Sequence, residues 1–259
     1  MSILDDIVEP RGLRETAAEA ALAFAALTGW PLLAGPRRGS AEQRARAMLF
    51  VPLAGLTFGV ALALIDHSLT GLTPALPRSV VVIALSILLS GAIHPLGLVH
   101  VIGQLRAGSR PSWTGLTEIG PLGVLATMGF LVLEIWLLGA MAHPPARARA
   151  IVLATMLSRW AIVPVAYGLK PLERAGLGVP WEGGIRFREF AGSSVLALGI
   201  AMGLYQVIAI AVIVVLALAI LALRLLFNRR LGGAGGYALA AAAAVCELAV
   251  LAVAAAIKL

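Results

Sequence analysis

The chain has 259 residues, of which 60% are hydrophobic and 13% charged, with a formal net charge of +7. That is more apolar surface than a soluble domain of this length can hide, so the composition excludes a water-soluble protein and requires a bilayer around it. A disulfide framework is excluded by a single cysteine, Cys246, and a nucleic-acid binder is excluded because the basic residues stand at the ends of apolar segments instead of in one aromatic-rich stripe.

The chain opens on MSILDDIVEPRGLRE, polar and mixed in charge, which gives no expectation of a cleavable signal. Residues 17–33 are apolar but short and end at Trp30-Pro31, so an interfacial or re-entrant helix is preferred to a full crossing. This N-terminal interfacial region, 1–47, precedes a helical bundle, 48–259, within one transmembrane domain. Apolar windows then predict seven spans, at about 48–66, 79–102, 119–142, 149–168, 191–205, 207–227 and 237–257. The fold class is therefore all-α, a polytopic membrane bundle. Ala191 to Phe227 is nearly unbroken at 37 residues, too long for one crossing, and a turn near Gly203 to Gln206 is the one plausible interruption.

The basic residues test that count. With seven spans and the N-terminus inside, 15 lysines and arginines fall in cytoplasmic segments and four, Arg78, Arg147, Arg149 and Lys258, outside. The positive-inside rule selects this orientation, a multi-pass protein of the inner membrane with a cytoplasmic N-terminus. Arg106, Arg110, Lys170, Arg174, Arg186 and Arg188 form a basic cytoplasmic rim suited to phosphate, although topology alone would supply such residues. Trp30, Trp113 and Trp181 fall at predicted interfaces, as an aromatic belt. No internal repeat stands out, and the alanine-rich last span reads as close helix packing.

Within the spans, Arg159 and Glu247 lie near the expected midplane and Glu134 nearer the outer face. Ionised groups at that depth are costly and must be paired or wet, so Arg159 is expected to pair with Glu247, Glu134 or both. A structural clamp and a contact between Arg159 and a substrate phosphate both remain open. His94 and His100 are the titratable groups of Ser90 to Gln104; six residues apart on a helix, they point about 240° apart unless the chain bends. The glycine-rich LGGAGG at 231–236 lacks the Lys-Ser or Lys-Thr of a phosphate loop and reads as a flexible entry loop. Asp66 and Glu118 read as isolated acids, with Glu118 able to offer a metal one carboxylate.

The stretch SGAIHPLGLVHVIGQ resembles the signature of the adenosylcobinamide-GDP ribazoletransferases, the cobalamin synthases, which reads roughly H-L-D-G-L-A-D-T-A-D-G. His94, Gly97 and Leu98 match the frame, while Leu96, His100 and Gly103 stand where the family has aspartates. Further fragments agree in order: Ala23 to Pro31, Phe50 to Gly55, Ile119 to Val124, Ser158 to Ala161, Arg174 with Gly176 to Gly178, Arg229 to Gly233, and Glu247. The departures share a direction. The family's D-S-R is Leu116-Thr117-Glu118, its G-D-T-L-G begins Gly236-Tyr237, and a lysine of its third span is Glu134.

The resemblance implies a membrane phosphotransferase that joins α-ribazole, or its 5′-phosphate, to adenosylcobinamide-GDP with release of GMP. It implies Mg²⁺, which the missing aspartates set against the residues present; His94, at the family's position, and His100 are the catalytic candidates left in the stretch, and Arg159, Arg174, Arg106 and Arg110 the candidate substrate contacts. The alternatives are a degenerate homologue that binds a corrinoid or scaffolds other enzymes, and a small transporter using Arg159 and Glu247 as a relay. Self-association into a homo-oligomer stays open.

Overall fold

The computed structural model describes residues 12–28, 40–107, 120–141, 143–172 and 184–257. Among them the ordered structure is helical: α1 (Leu13–Thr28), α2 (Ala41–Ala47), α3 (Val51–Ser68), α4 (Ala75–Leu89), α5 (Ile93–Ala107), α6 (Pro121–Gly139), α7 (Pro144–Ala166), α8 (Phe187–Tyr205), α9 (Val207–Leu226) and α10 (Gly236–Ala256). Ser40 starts α2 with a capping box, its hydroxyl accepting from the Gln43 amide while the Gln43 side chain accepts from the Ser40 amide. A single 3₁₀ turn, Met48–Phe50, joins α2 to α3, so helix runs through the predicted boundary at residue 47. Six helices are long and apolar enough to cross a membrane.

A seventh crossing is built differently from the continuous 79–102 span that hydropathy predicts. It is a pair, α4 and α5, meeting at 81°. The cause is local. Gly91 and Ala92 both take left-handed φ, 63° and 58°. The Ala92 amide donates to the Ile87 carbonyl and the Gly91 amide to Leu88, the two bonds of a Schellman cap that ends α4. Pro95 then falls in the first turn of α5, where its missing N–H leaves no bond unmade. The pair nevertheless runs from one end of the bundle to the other. A Cβ on Gly139, at the close of α6, would lie 2.8 Å from Leu76 at the start of α4; one on Gly123, at the opening of α6, would lie 2.6 Å from the Val99 carbonyl of α5. Taken as one broken span, the pair brings the candidate crossings among the described residues from six to seven.

The predicted turn near Gly203 to Gln206 is present. Gln206, at φ 49°, separates α8 from α9.

The centre is α7, buried continuously from Ala150 to Ala166 except at Val152. Against it lies α3 with Gly55 and Gly59 four residues apart, where a Cβ would come within 2.8 Å of the Thr155 carbonyl and of Val152 Cα. Small residues at that spacing let two helices meet backbone to backbone, which lipid-embedded helices need because hydrocarbon gives no hydrophobic drive to associate. The alanines of α10 serve α5 in the same way, since a Cβ on Gly97 would lie 2.6 Å from the Ala241 nitrogen.

At the N-terminal end of α7 the sequence reading needs two corrections. Asp66 is not an isolated acid and Arg147 is not a loop residue. Arg147 is fully buried, and its Nε donates to both Asp66 oxygens at 2.9 Å. Its Nη1 donates to Ser79 Oγ at 3.1 Å and to the Leu138 carbonyl, and Arg78 donates to Thr70 nearby. Residues of α3, α4, α6 and α7 thus meet on one guanidinium. Removing one member of a buried pair strands the other charge, so Asp66→Ala should lose about 3–5 kcal/mol of stability in detergent. Asp66→Leu with Arg147→Met should recover part of that loss in the same thermal-unfolding measurement.

Candidate functional site

The helix break delivers His94 to the middle of the bundle. There the His94 Nδ1 lies 4.0 Å from Glu247 Oε2 of α10. The same carboxylate oxygen receives Arg159 Nη1 of α7 at 3.2 Å and Ser158 Oγ at 3.4 Å. Arg159 Nη1 also donates to the Thr155 carbonyl, and the Phe58 ring lies 5.8 Å from the guanidinium carbon. Arg159 is 1% exposed, so its charge is balanced inside the protein by Glu247 and a ring face. Glu134 of α6 lines a cavity with Ser86, Ser90, His94, Pro95 and Glu247. At about 20 Å³ the cavity has room for a single water. These side chains make a polar knot beside the point where the backbone itself is interrupted, and the cavity they line is too small for a nucleotide.

The second half of the motif points elsewhere. Positions 96, 100 and 103 are spaced four and three apart and share one face of α5. His100, 2% exposed, stacks on Tyr237 of α10 with ring centroids 4.0 Å apart and planes inclined by 26°. His100 and Tyr237 stand at two of the places where the resembled motifs carry aspartates, one in each of two helices far apart in sequence. The fold brings those two places together.

A magnesium ion wants hard oxygen ligands in a near-octahedral shell. At these positions it would meet an imidazole, a phenol, Leu96 and Gly103, with the two rings packed on each other. The residues present do not fit it. Among the described residues, no three of His, Cys, Asp and Glu are grouped to hold any metal.

The remaining candidates scatter. Arg106 is exposed at the close of α5; Arg110, Arg174 and Glu118, like Trp30, Trp113 and Trp181, lie outside the described residues. Arg186 is 3.6 Å from Glu42, and Arg188 is 2.8 Å from Glu189, so two rim cations already have carboxylate partners. The 231–236 stretch is no flexible loop. The Ala234 amide donates to the Lys170 carbonyl and the Leu172 amide to the Ala234 carbonyl, both at 3.0 Å, and a Cβ on Gly233 would lie 2.2 Å from Lys170 O. Sequence reasoning missed the His100–Tyr237 contact, for which the one signal was that both residues stand in for aspartates.

Comparison with known proteins now bears on the same residues. The family model described as cobalamin-5-phosphate synthase matches residues 19–255. The chain belongs to that family. It is 30% identical to the adenosylcobinamide-GDP ribazoletransferase of Pseudomonas fluorescens strain Pf0-1, over 83% of this chain and 90% of the relative. It is 30% identical to that of Syntrophobacter fumaroxidans, over 91% and 96%, and 31% identical to that of Pseudomonas paraeruginosa, over 81% and 86%. No solved structure matches the chain. A cobalamin synthase scaffold is therefore present from α1 to α10, with rings at two of the motif aspartate positions, His100 and Tyr237, and Leu96 and Gly103 at two others.

Arg159→Leu leaves Glu247 buried without its counter-charge and should cost about 3–5 kcal/mol. Adding Glu247→Leu should raise the thermal transition of the purified protein again; equal damage from the single and the double variant would show that Arg159 is no clamp.

Proposed function

We propose that this chain is a corrinoid-binding member of the cobalamin synthase family that does not carry magnesium-supported phosphoryl transfer at the motif of α5. The observation that carries the reading is the His100–Tyr237 stack. Phosphoryl transfer relies on placing the reacting groups and neutralising charge on the phosphate oxygens, most often through a divalent cation held by carboxylates. Rings fill two of the places where those carboxylates would stand.

The substrate class follows the relatives, whose name is adenosylcobinamide-GDP ribazoletransferase. The ligand would be a corrinoid activated as a nucleotide diphosphate. It would approach the end of the bundle where Arg106, Lys170, Arg229 and Arg230 are exposed. The positive-inside rule assigns that end to the cytoplasm, which puts the protein in the inner membrane with its N-terminus inside.

A second reading is full transfer, joining α-ribazole or its 5′-phosphate to adenosylcobinamide-GDP and expelling GMP. The retained His94, Arg159 and Glu247 favour it, together with a match over nearly the whole chain.

Purified protein incubated with adenosylcobinamide-GDP and α-ribazole 5′-phosphate, with and without Mg²⁺, separates the two. The expected result is saturable corrinoid binding and no GMP; magnesium-dependent GMP release would overturn the first reading and establish the second. Exchanging His100→Asp together with Tyr237→Asp should create a Mg²⁺-dependent rise in the thermal transition that the native chain lacks.

A further inference from the structure

A groove of about 420 Å³ runs between α7, α8 and α9. That volume falls in the range of roughly 300–1,000 Å³ typical of small-molecule sites. Its walls are apolar and aromatic. Trp160 is anchored by its indole N–H on Ser194 Oγ at 3.2 Å, and Tyr167 stacks on Phe190 with centroids 4.7 Å apart. Along α9 the groove extends from Ile213 to Arg224. Eleven residues at about 1.5 Å each span roughly 16 Å, which is about half of a 30 Å hydrocarbon core. The groove is as long as one leaflet is thick.

One end is basic. Arg224 lines it, with Nη1 spent on the carbonyls of Pro164, Val165 and Tyr167. Its Nη2 faces Gly168, where a Cβ would lie 3.8 Å away, and the exposed Lys170 follows two residues later. A π turn, Phe227–Leu231, continues α9 past Arg224 and carries Arg229 and Arg230, both exposed. On α8 the carboxylate next to Phe190, Glu189, is already paired with Arg188 at 2.8 Å. Among the described residues none of Lys170, Arg224, Arg229 and Arg230 has a carboxylate partner, and the carbonyls that end α7 offset only part of the Arg224 charge. The other end, towards Ile213 and Leu198, is apolar.

We propose that the groove holds one acyl chain of an anionic glycerophospholipid, with the phosphate at Arg224 and the Lys170, Arg229 and Arg230 rim. A chain anchored at the headgroup level and reaching the middle of the bilayer fits a cleft that is cationic at one end, apolar at the other and one leaflet long. The groove lies on the α7–α9 side, away from the α5–α10 motif, and shares only its basic rim with the end a nucleotide-activated corrinoid would approach.

The test is native mass spectrometry of the protein extracted in mild detergent and exchanged into mixed phosphatidylglycerol and phosphatidylcholine. Wild type should keep a phospholipid adduct, with a preference of roughly tenfold for phosphatidylglycerol. Ala217→Phe, at an exposed position of the groove wall, should lose the adduct while eluting as a monodisperse species. Three outcomes overturn the proposal: an adduct retained by Ala217→Phe, equal retention of the two lipids, or a wild-type dimer that Ala217→Phe converts to monomer without any lipid, which would make the occupant a second copy. Should Ala217→Phe not fold, wild type labelled with a phosphatidylglycerol carrying an acyl-chain diazirine decides. Labelling concentrated on α8 and α9 over the outward face of α6, around Leu125 and Val132, supports the site, and even labelling sinks it.

Discussion

Two guanidinium groups on one buried helix govern the architecture. Arg147 and Arg159 lie twelve residues apart on α7, and each is held by a carboxylate from another helix, Asp66 of α3 and Glu247 of α10. In hydrocarbon an unpaired guanidinium is among the least tolerable groups, so each pair fixes the rotation and depth of two helices at once. The glycines of α3 and the alanines of α10 then let the backbones approach closely enough for those pairs to close. α7 is covered by its neighbours along most of its length, the groove at Trp160 and Pro164 apart.

This is also why much of the fold was legible in the amino-acid order. A length of apolar chain, a midplane arginine and a midplane glutamate constrain one another, and the count of spans and the turn at Gln206 follow from length and charge. What hydropathy could not show is the bend at Ser90 to Ala92. Both sides of it are equally apolar, and a window average does not register two residues that turn left-handed. The cue was chemical: a Ser-Gly pair with a proline four residues on, the punctuation of a helix that stops and restarts. The Asp66–Arg147 pair escaped notice because the hydropathy windows put Asp66 at the end of one span and Arg147 in the loop before another, where a charge calls for no partner. Reading the loop at 231–236 as flexible failed because Gly233 lets the Lys170 backbone come close, which only the folded chain makes visible.

The site was half legible. The motif marked α5 correctly as the place to look, and the departures from it were plain. Their geometry was not. A bent crossing places His94 against Glu247 and Arg159 and sends the next turns of α5 along α10, so the two halves of one motif end up in separate environments. The first half is the polar knot around Glu247; the second is the ring stack. Interrupted backbone inside a membrane is tolerated where protein groups or a small wet cavity meet it, and the water-sized space beside Ser90 and Glu134 satisfies that condition.

The stacked rings of His100 and Tyr237 also bear on how such a chain can change over time. Returning an aspartate to either place alone would bury a lone carboxylate beside an aromatic ring, with too few companions to recruit a cation that would offset it. A carboxylate at either position is costly while a ring stands at the other, so the two positions behave as a unit and a change at one is felt through its partner.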